Sequence, residues 1–321
     1  MKNKIKPQYL TLIITLLIFS ALFGISSIKF EGFFSMSVIM NLFIDNAFLL
    51  ITALGMTFVL IIGGIDLSVG AVIALVCMLS ASLLQKNISP FVVIPIVIAV
   101  GGAIGLAHGM FIQYMKLEPF IVTLAGMYFA RGLTYIINGD TIIIDNEFYS
   151  KISQISLPFL GESFINVNVI LAFIMLGISI YIAHFTKFGR NVYAIGGNEQ
   201  SAKMMGLPVA KTKIMVYTLS GIYSGIAGVV FSFYMLSGYG LHANGVEMDA
   251  IASAVIGGTL LTGGIGMMAG TFFGVMIYGL IQTIIMFDGT LSSWWTKIAL
   301  GALLCIFIVI QRILVMKRSR A

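Results

Sequence analysis

The side chains in this sequence that could do chemistry are few, and none has the spacing of a catalytic site. No G-x-x-x-x-G-K-[ST] phosphate loop, no H-E-x-x-H pair and no G-x-S-x-G turn occurs in the 321 residues. Cys77 and Cys305 lie in apolar runs, and the three histidines lack metal-ligand spacing. The sequence therefore predicts no catalytic residue, no metal site and no cofactor held by this chain.

One polar turn interrupts the apolar sequence at 63–70, which reads GGIDLSVG. Gly63 and Gly64 allow a reversal that other residues resist. Asp66 is predicted to cap the following helix, with Ser68 in the first turn of that helix. Two interpretations are open: the turn is only a capped reversal, or it forms a gate or docking surface at a cytoplasmic mouth.

Arg131 lies inside an apolar run at 119–137. A charge within a membrane helix costs about 3 kcal/mol on insertion scales and usually faces a cavity or a partner. Asp45, Glu247 and Asp249 lie at a suitable depth to be its partners, and a role in a path or gate is predicted for Arg131, Asp45 and Asp249. The alternative is that Arg131 extends to the outer surface of the membrane.

Trp294 and Trp295 stand at the start of the last apolar run. Tryptophans at such positions usually anchor a helix at the lipid headgroups. The alternative is an aromatic platform that faces a sugar at the external mouth.

The stretch 187–213, KFGRNVYAIGGNEQSAKMMGLPVAKTK, contains the signals of a short helix. Asn198 can cap it, Gly206 can end it, and Pro208 follows. Such a helix, with Met204, Met205 and Leu207 predicted to be exposed, suits a groove on a partner protein. A helix that lies on the membrane surface is the alternative.

Membrane helices must position these residues, because 59% of the chain is hydrophobic and only 9% is charged, against about 25% charged in soluble domains. A membrane-crossing helix needs ~20 apolar residues. Ten segments approach that length, and the segment near 249–262 is short enough to be a half-helix or to pack deep in the protein. The predicted spans lie near 9–28, 44–62, 68–85, 91–114, 119–137, 166–186, 213–237, 249–262, 266–287 and 294–314. The sequence predicts an all-α membrane protein with one permease domain at 1–321.

The basic residues fall mainly in alternate connections, which places both termini in the cytoplasm by the positive-inside rule. The long loop at 138–166 is then external and the loop at 187–213 is cytoplasmic. Spans 2–5 and 7–10 enter the membrane from opposite sides, as in an inverted repeat. The similar stretches at 61–70 and 256–264 do not occupy matching places in these halves, so the repeat remains one of two open interpretations.

Three segments carry a resemblance to a known family. LGMTFVLIIGGIDLSVGAVIAL at 54–75, TKFGRNVYAIGGNEQSAKMMGLPV at 186–209 and IASAVIGGTLLTGGIGMMAGTFFG at 251–274 resemble signatures of ribose/xylose/galactose-type permeases of ABC sugar importers. The similarity extends along essentially the whole chain. FDGTLSSWWTKIALG at 287–301 looks closest to a galactofuranose importer permease.

This resemblance implies the partners. They are an ATPase subunit that binds ATP and Mg, an extracytoplasmic sugar-binding protein, and a second permease that is either a copy of this chain or a related chain. The chain would lie in the bacterial inner membrane, surrounded by lipid, and would not contact nucleic acid. The family's ATPase-coupling helix maps onto Gly197, Asn198, Glu199, Ser201, Ala202, Met205 and Gly206.

The predicted function is that of a permease subunit that imports a monosaccharide by alternating access. The competing classes are an ion-coupled secondary carrier and a membrane-embedded enzyme. Acids near span ends or in loops argue against the carrier, and the missing catalytic motifs argue against the enzyme.

Overall fold

A computed structural model describes residues 7–158, 164–292 and 294–319, and this part of the chain is predominantly helical. Lys2, Lys4, Lys6 and Arg320, which contributed to the predicted cytoplasmic termini, lie outside the described residues. The orientation of the termini stays a prediction.

Fourteen helices and four short strands are formed by the described residues. The helices are α1 (Pro7–Lys29), α2 (Met36–Asp45), α3 (Ala47–Ile61), α4 (Val69–Gln85), α5 (Pro90–Tyr114), α6 (Pro119–Ile137), α7 (Glu147–Gln154), α8 (Val167–Phe185), α9 (Lys187–Gly197), α10 (Glu199–Met204), α11 (Val209–Met235), α12 (Val246–Ile256), α13 (Met268–Asp288) and α14 (Trp294–Ser319). Strand β1 (Ile142–Ile143) pairs antiparallel with β4 (Ser237–Gly238), and β2 (Ser156–Pro158) pairs antiparallel with β3 (Phe164–Asn166).

Six helices in the described part are long and apolar enough to cross a membrane, namely α1, α5, α6, α8, α11 and α13. Helices α2 and α3 add a seventh span if this pair, bent by 54°, counts as one. Helix α4 and the part of α14 up to Val309 are apolar but shorter, and α12 has 11 residues. The all-helical multi-pass architecture is confirmed, whereas the number of ten spans stays a prediction.

Helix α12 is short and buried, as the sequence predicted, but it ends at Ile256 rather than near 262. Gly257 caps it, and the backbone of Gly258 then takes a φ of +96°, a left-handed conformation that favours glycine. A non-helical segment at 257–267 follows and leads into α13.

Local sequence signals explain several helix boundaries. Helices α5 and α6 begin at Pro90 and Pro119, where the missing N–H costs nothing. The side chain of Asn166 caps α8 by accepting from the N–H of Val169 at 3.0 Å. Gly289 ends α13 with a φ of +65°.

Helix α3 forms the centre of the bundle. Every residue in it except Phe48 is buried. Helices α8, α11, α12 and α13 pack directly on α3. Its mixed apolar sequence has no polar face, which is typical of a helix enclosed on all sides.

Helices α5 and α11 pack against each other along a stripe of glycines. A Cβ at Gly101 or Gly105 would overlap the α11 backbone, at the carbonyl groups of Gly221 and Tyr217 respectively. A Cβ at Gly109 would come within 2.8 Å of the Cα of Ile214. Small residues at this spacing allow two membrane helices to approach until their backbones touch.

Candidate functional site

The short helix predicted in the 187–213 loop is present as α10. The side chain of Asn198 accepts a hydrogen bond from the N–H of Ser201 at 2.8 Å and caps the helix. Gly206 follows the helix with a φ of +76°, and α11 begins after Pro208. The predicted start and stop signals are therefore confirmed.

The exposure of the coupling residues separates them into two groups. Those exposed to solvent are Gly197, Asn198, Glu199, Ser201, Met205 and Gly206. Ala202 is fully buried and attaches α10 to the rest of the protein. Met204 and Met205 are 90% and 68% exposed, but Leu207 packs against the core, so its predicted exposure was wrong.

Helix α9, which the sequence analysis did not identify, connects α10 to the interior of the bundle. A Cβ at Gly196 would overlap the carbonyl oxygen of Ile61, so only glycine fits there. The hydroxyl of Tyr193 donates to the carbonyl of Gly266 at 2.9 Å, and burial raises the pKa of Tyr193 to about 12. The predicted coupling loop is thus in contact with the end of α3 at Ile61 and with the 257–267 segment.

Two glycine-rich stretches that look alike in sequence meet at this junction. The N–H of Gly264 donates to the carbonyl of Ile61 at 2.8 Å. Gly63, Gly263 and Gly264 all have positive φ values, between 77° and 85°. We call the end of the bundle that holds 62–68, 197–208 and 257–267 the near end, and the opposite end the far end.

Asp66 fixes the 63–70 turn from inside the protein. Its carboxylate accepts from the N–H and hydroxyl of Ser68, at 3.0 and 2.6 Å, and from the hydroxyl of Ser220 on α11 at 2.8 Å. Asp66 was predicted to be the N-cap of α4, and this was wrong by two residues: Ser68 is the N-cap, and Asp66 precedes it. Asp66, Ser68 and Gly64 are buried and Gly63 is exposed. The gate and docking interpretations of the turn both stay predictions.

A groove of about 470 Å³ lies at the near end between this turn and the coupling helix. Gly63 and Gly64 line one side, and Glu199 and Lys203 line the other. Lys213 bridges to Glu199 at 2.6 Å on the groove wall. Gly63 and Gly64 of the predicted gate therefore border the same space as Glu199 of the predicted coupling helix.

Arg131 lies at the far end and holds a loop in place. Its guanidinium donates to the carbonyl oxygens of Gly240 and His242, at 2.6 and 2.7 Å. Of the three predicted carboxylate partners, Glu247 interacts electrostatically with Arg131. Asp45 instead accepts from the hydroxyl of Tyr234, and Asp249 pairs with Lys297. The sequence could not show this arrangement because the loop contributes backbone atoms.

Three of the predicted residues line one cleft of about 740 Å³ at the far end. Asp45, Asp249 and Trp294 all border it, together with residues of α11 and α13. Of the two tryptophans, only Trp294 lines the cleft, with 75% of its surface exposed. Trp295 lies outside the lining and is 48% exposed.

The cleft contains a hydrogen-bonded chain that sequence analysis missed. Lys297 contacts both carboxylate oxygens of Asp249, at 2.7 and 2.8 Å. Tyr278 donates to Asp249 at 2.9 Å, and the amide of Gln282 donates to the Tyr278 hydroxyl at 2.9 Å. The sequence contains one signal of this chain: Tyr278 and Gln282 are four residues apart on α13, a spacing that places their side chains side by side on the helix.

Comparison with known proteins finds a family that matches most of this chain. The family described as "Branched-chain amino acid transport system / permease component" matches residues 38–308. The chain belongs to this permease family. The match includes the whole region from the start of the α2–α3 pair to α14.

Curated relatives cover nearly the full chain. The inner membrane ABC transporter permease protein YjfF of Escherichia coli K12 is 50% identical over 88% of this chain and 86% of its own length. The fructose import permease protein FruG of Bifidobacterium longum is 33% identical over 96% and 92%. The ribose import permease protein RbsC of Bacillus subtilis is 36% identical over 85% and 84%. No solved structure matches.

These findings confirm the predicted class. The chain is a permease of the ABC transporter type and a multi-pass inner-membrane protein. It is not itself an enzyme, since ATP hydrolysis in such transporters belongs to a separate partner chain.

Proposed function

We propose that this permease carries a monosaccharide into the cell by alternating access, driven by a partner ATPase. The observation that carries the proposal is the full-length similarity to permeases named for fructose and ribose import. The family description names branched-chain amino acids instead. The sugar relatives weigh more because they match this chain individually, from end to end.

The proposed ATPase contact is the exposed part of the coupling helix. Gly197, Asn198, Glu199, Ser201, Met205 and Gly206 would meet the partner, and Ala202 would hold the helix on the permease. Met204 supports this contact because it is 90% exposed, and a large apolar side chain in water favours burial in a partner's groove. ATP and Mg would bind the partner, with no cofactor in this chain.

The near end is proposed to be cytoplasmic and the far end external, with both termini inside. An extracytoplasmic sugar-binding protein would then dock around 138–166 and 238–248. A second permease, either identical or related, would complete the membrane portion. These arrangements follow from the family resemblance and the distribution of basic residues.

An inverted repeat within ten spans is part of the same proposal. The two halves contain matching helix contacts. In the first half α4 packs on α5 and α6, and in the second half α12 packs on α13 and α14. Helix α3 packs on α12 and α13, as α11 packs on α4 and α5. This exchange of partners supports a twofold relation.

The proposed path begins at the far-end cleft, with Asp45, Asp249 and Trp294 on its walls. Trp295 would remain at the headgroups, and Arg131 would hold the 236–245 loop beside the path. Gly63, Gly64, Asp66 and Ser68 form the proposed gate at the near end, next to the coupling helix. Among sugars, galactofuranose is the specific candidate, supported by the resemblance at 287–301.

The coupling claim can be tested by changing Met204 and Met205 to glutamate together. Both side chains face solvent, so the permease should fold normally, but charge in an apolar groove should break the ATPase complex. We expect co-purification with the ATPase and sugar-stimulated ATP hydrolysis to fall by about tenfold or more.

Ile143→Glu is the matched control for co-purification alone, because Ile143 is 75% exposed at the far end, in the loop proposed to meet the binding protein. This variant should keep the ATPase complex. If the double variant binds and stimulates the ATPase as the parent does, the coupling helix is not the contact. Uptake that follows an ion gradient with no ATPase present would favour the secondary carrier instead.

A further inference from the structure

The far-end cleft has the size and mixed polarity of a small-molecule site. Its volume of about 740 Å³ falls in the usual range for ligand pockets. Phe48, Phe231 and Ile285 supply apolar surface. Polar side chains come from α12, α13 and α14, and also from Asp45 and Tyr234, which are hydrogen-bonded to each other. A few polar groups placed in an apolar cleft are what orient a small ligand.

The polar side of the cleft is a continuous chain of four groups, Gln282, Tyr278, Asp249 and Lys297. Asp249 is 7% exposed, and Lys297 and Tyr278 fix its carboxylate, with Gln282 donating to the Tyr278 hydroxyl. A fixed carboxylate beside an ammonium and an amide offers both acceptors and donors. Neighbouring hydroxyls on a sugar ring need that combination, since each hydroxyl donates one hydrogen bond and accepts others.

The aromatic side of the cleft is Trp294, whose ring is largely free. An indole offers a flat apolar face with a polar edge, which suits the C–H face of a sugar ring. The cleft therefore has hydroxyl-binding groups and a flat apolar surface within one chain.

The charges on the cleft walls restrict the ligand further. The charged side chains in the lining are two acids, Asp45 and Asp249, and one base, Lys297, which already pairs with Asp249. Among the described lining residues, therefore, no unpaired cation faces a phosphate group. Repulsion by the carboxylates makes phosphorylated sugars poor ligands.

We propose that this cleft is a monosaccharide-binding subsite in which Asp249, held by Lys297 and Tyr278, and Gln282 bind the sugar hydroxyls while Trp294 stacks on the ring. The proposal rests on the proposed function and adds the residues that read the substrate. It selects neutral, unphosphorylated monosaccharides.

The sequence has only two tryptophans, which makes the test direct. In the full-length chain carrying Trp295→Phe, the fluorescence of Trp294 reports on the cleft alone. The probes are D-galactose, D-ribose and D-fructose, with glucose 6-phosphate as the anionic probe and leucine as the amino-acid probe. We expect a saturable change in emission with at least one neutral sugar, and none with glucose 6-phosphate.

In the same background, Asp249→Asn, Gln282→Leu and Lys297→Met should each raise the apparent Kd by about tenfold. Asp145→Asn, an exposed far-end acid outside the cleft lining, should leave Kd unchanged. Thermal unfolding of each variant in detergent separates lost binding from lost folding. Gln282→Leu is the decisive variant, because Gln282 is half-exposed and bears no charge.

The subsite is overturned if no sugar alters the emission of Trp294, or if folded variants bind as the parent does. In that case, ATP-driven sugar uptake by the assembled transporter would still leave the proposed function standing. A response to leucine alone, together with ATP-driven leucine uptake, would overturn both.

Discussion

Asp66 shows how one buried carboxylate can join three elements at the near end. It is 1% exposed and accepts hydrogen bonds from the turn itself and from Ser220 on α11. A charge can remain in such a place only when hydrogen bonds replace water. The turn, helix α4 and helix α11 are therefore held in one arrangement at the border of the near-end groove.

Replacing Asp66 with alanine should destabilise the permease. The change removes three hydrogen bonds and leaves the hydroxyls of Ser68 and Ser220 buried without this acceptor, at a cost of about 3 kcal/mol. Ser220→Ala removes only one of these bonds and should cost about 1 kcal/mol. Unfolding in detergent, followed by circular dichroism, measures both.

Asp145→Ala serves as the control, because Asp145 is exposed and a surface change of this kind should alter stability by less than about 0.5 kcal/mol. Equal stabilities for Asp66→Ala and Asp145→Ala would show that the turn does not depend on Asp66.

Among the elements, α5 and α11 approach each other until their backbones are in contact. Their contact depends on the absence of side chains at Gly101, Gly105 and Gly221. Dispersion between two backbones in contact replaces the hydrophobic effect, which contributes little between helices in lipid. This pair carries Ser220 and Tyr217 to the near end, so its spacing also sets the position of the gate residues.

Gly105→Leu should separate the two helices and prevent stable folding. The new Cβ alone would overlap the carbonyl of Tyr217, and overpacking of this kind costs about 1–3 kcal/mol or more. We expect a large loss of monodisperse protein in fluorescence-detected size exclusion.

Gly177→Leu is a matched control, since Gly177 lies in α8 and a Cβ there would meet no atom within 4 Å. That variant should elute with the parent. Normal folding of Gly105→Leu would contradict the proposed backbone contact.

At the scale of the whole molecule, the two ends of the bundle contain different features. The near end contains the predicted coupling helix and the two glycine-rich stretches, and the far end contains the cleft and the Arg131-bound loop. Helix α3 lies at the centre, and Ile61 at its end accepts from Gly264 beside Gly196. We expect a displacement of the 187–213 loop to reach α3 and the 257–267 segment through these backbone contacts.

Local features of this molecule could be predicted from the sequence, and distant pairings could not. The coupling helix was predictable because Asn198, Gly206 and Pro208 are signals close together in the chain. The partners of Asp249 and Asp45 were not, because Lys297 is 48 residues away and Tyr234 is 189 residues away.

Helix α9 was missed because its apolar face is short and contains three glycines, which are poor helix formers. Tertiary contacts, including the one from Tyr193 to Gly266, compensate for that weakness. The ten predicted spans came from apolar length and the distribution of basic residues, and their number stays a prediction. Helix α12 matches the predicted short segment, because a helix enclosed by other helices needs no lipid-spanning length.

The most direct test of the account is sugar uptake into proteoliposomes that contain this permease, its ATPase and its binding protein, with ATP supplied on the ATPase side. We expect uptake of a neutral monosaccharide only when all components and ATP are present, with no effect of ionophores that collapse proton and sodium gradients. Uptake by the permease alone that stops when an ion gradient is collapsed would contradict the account.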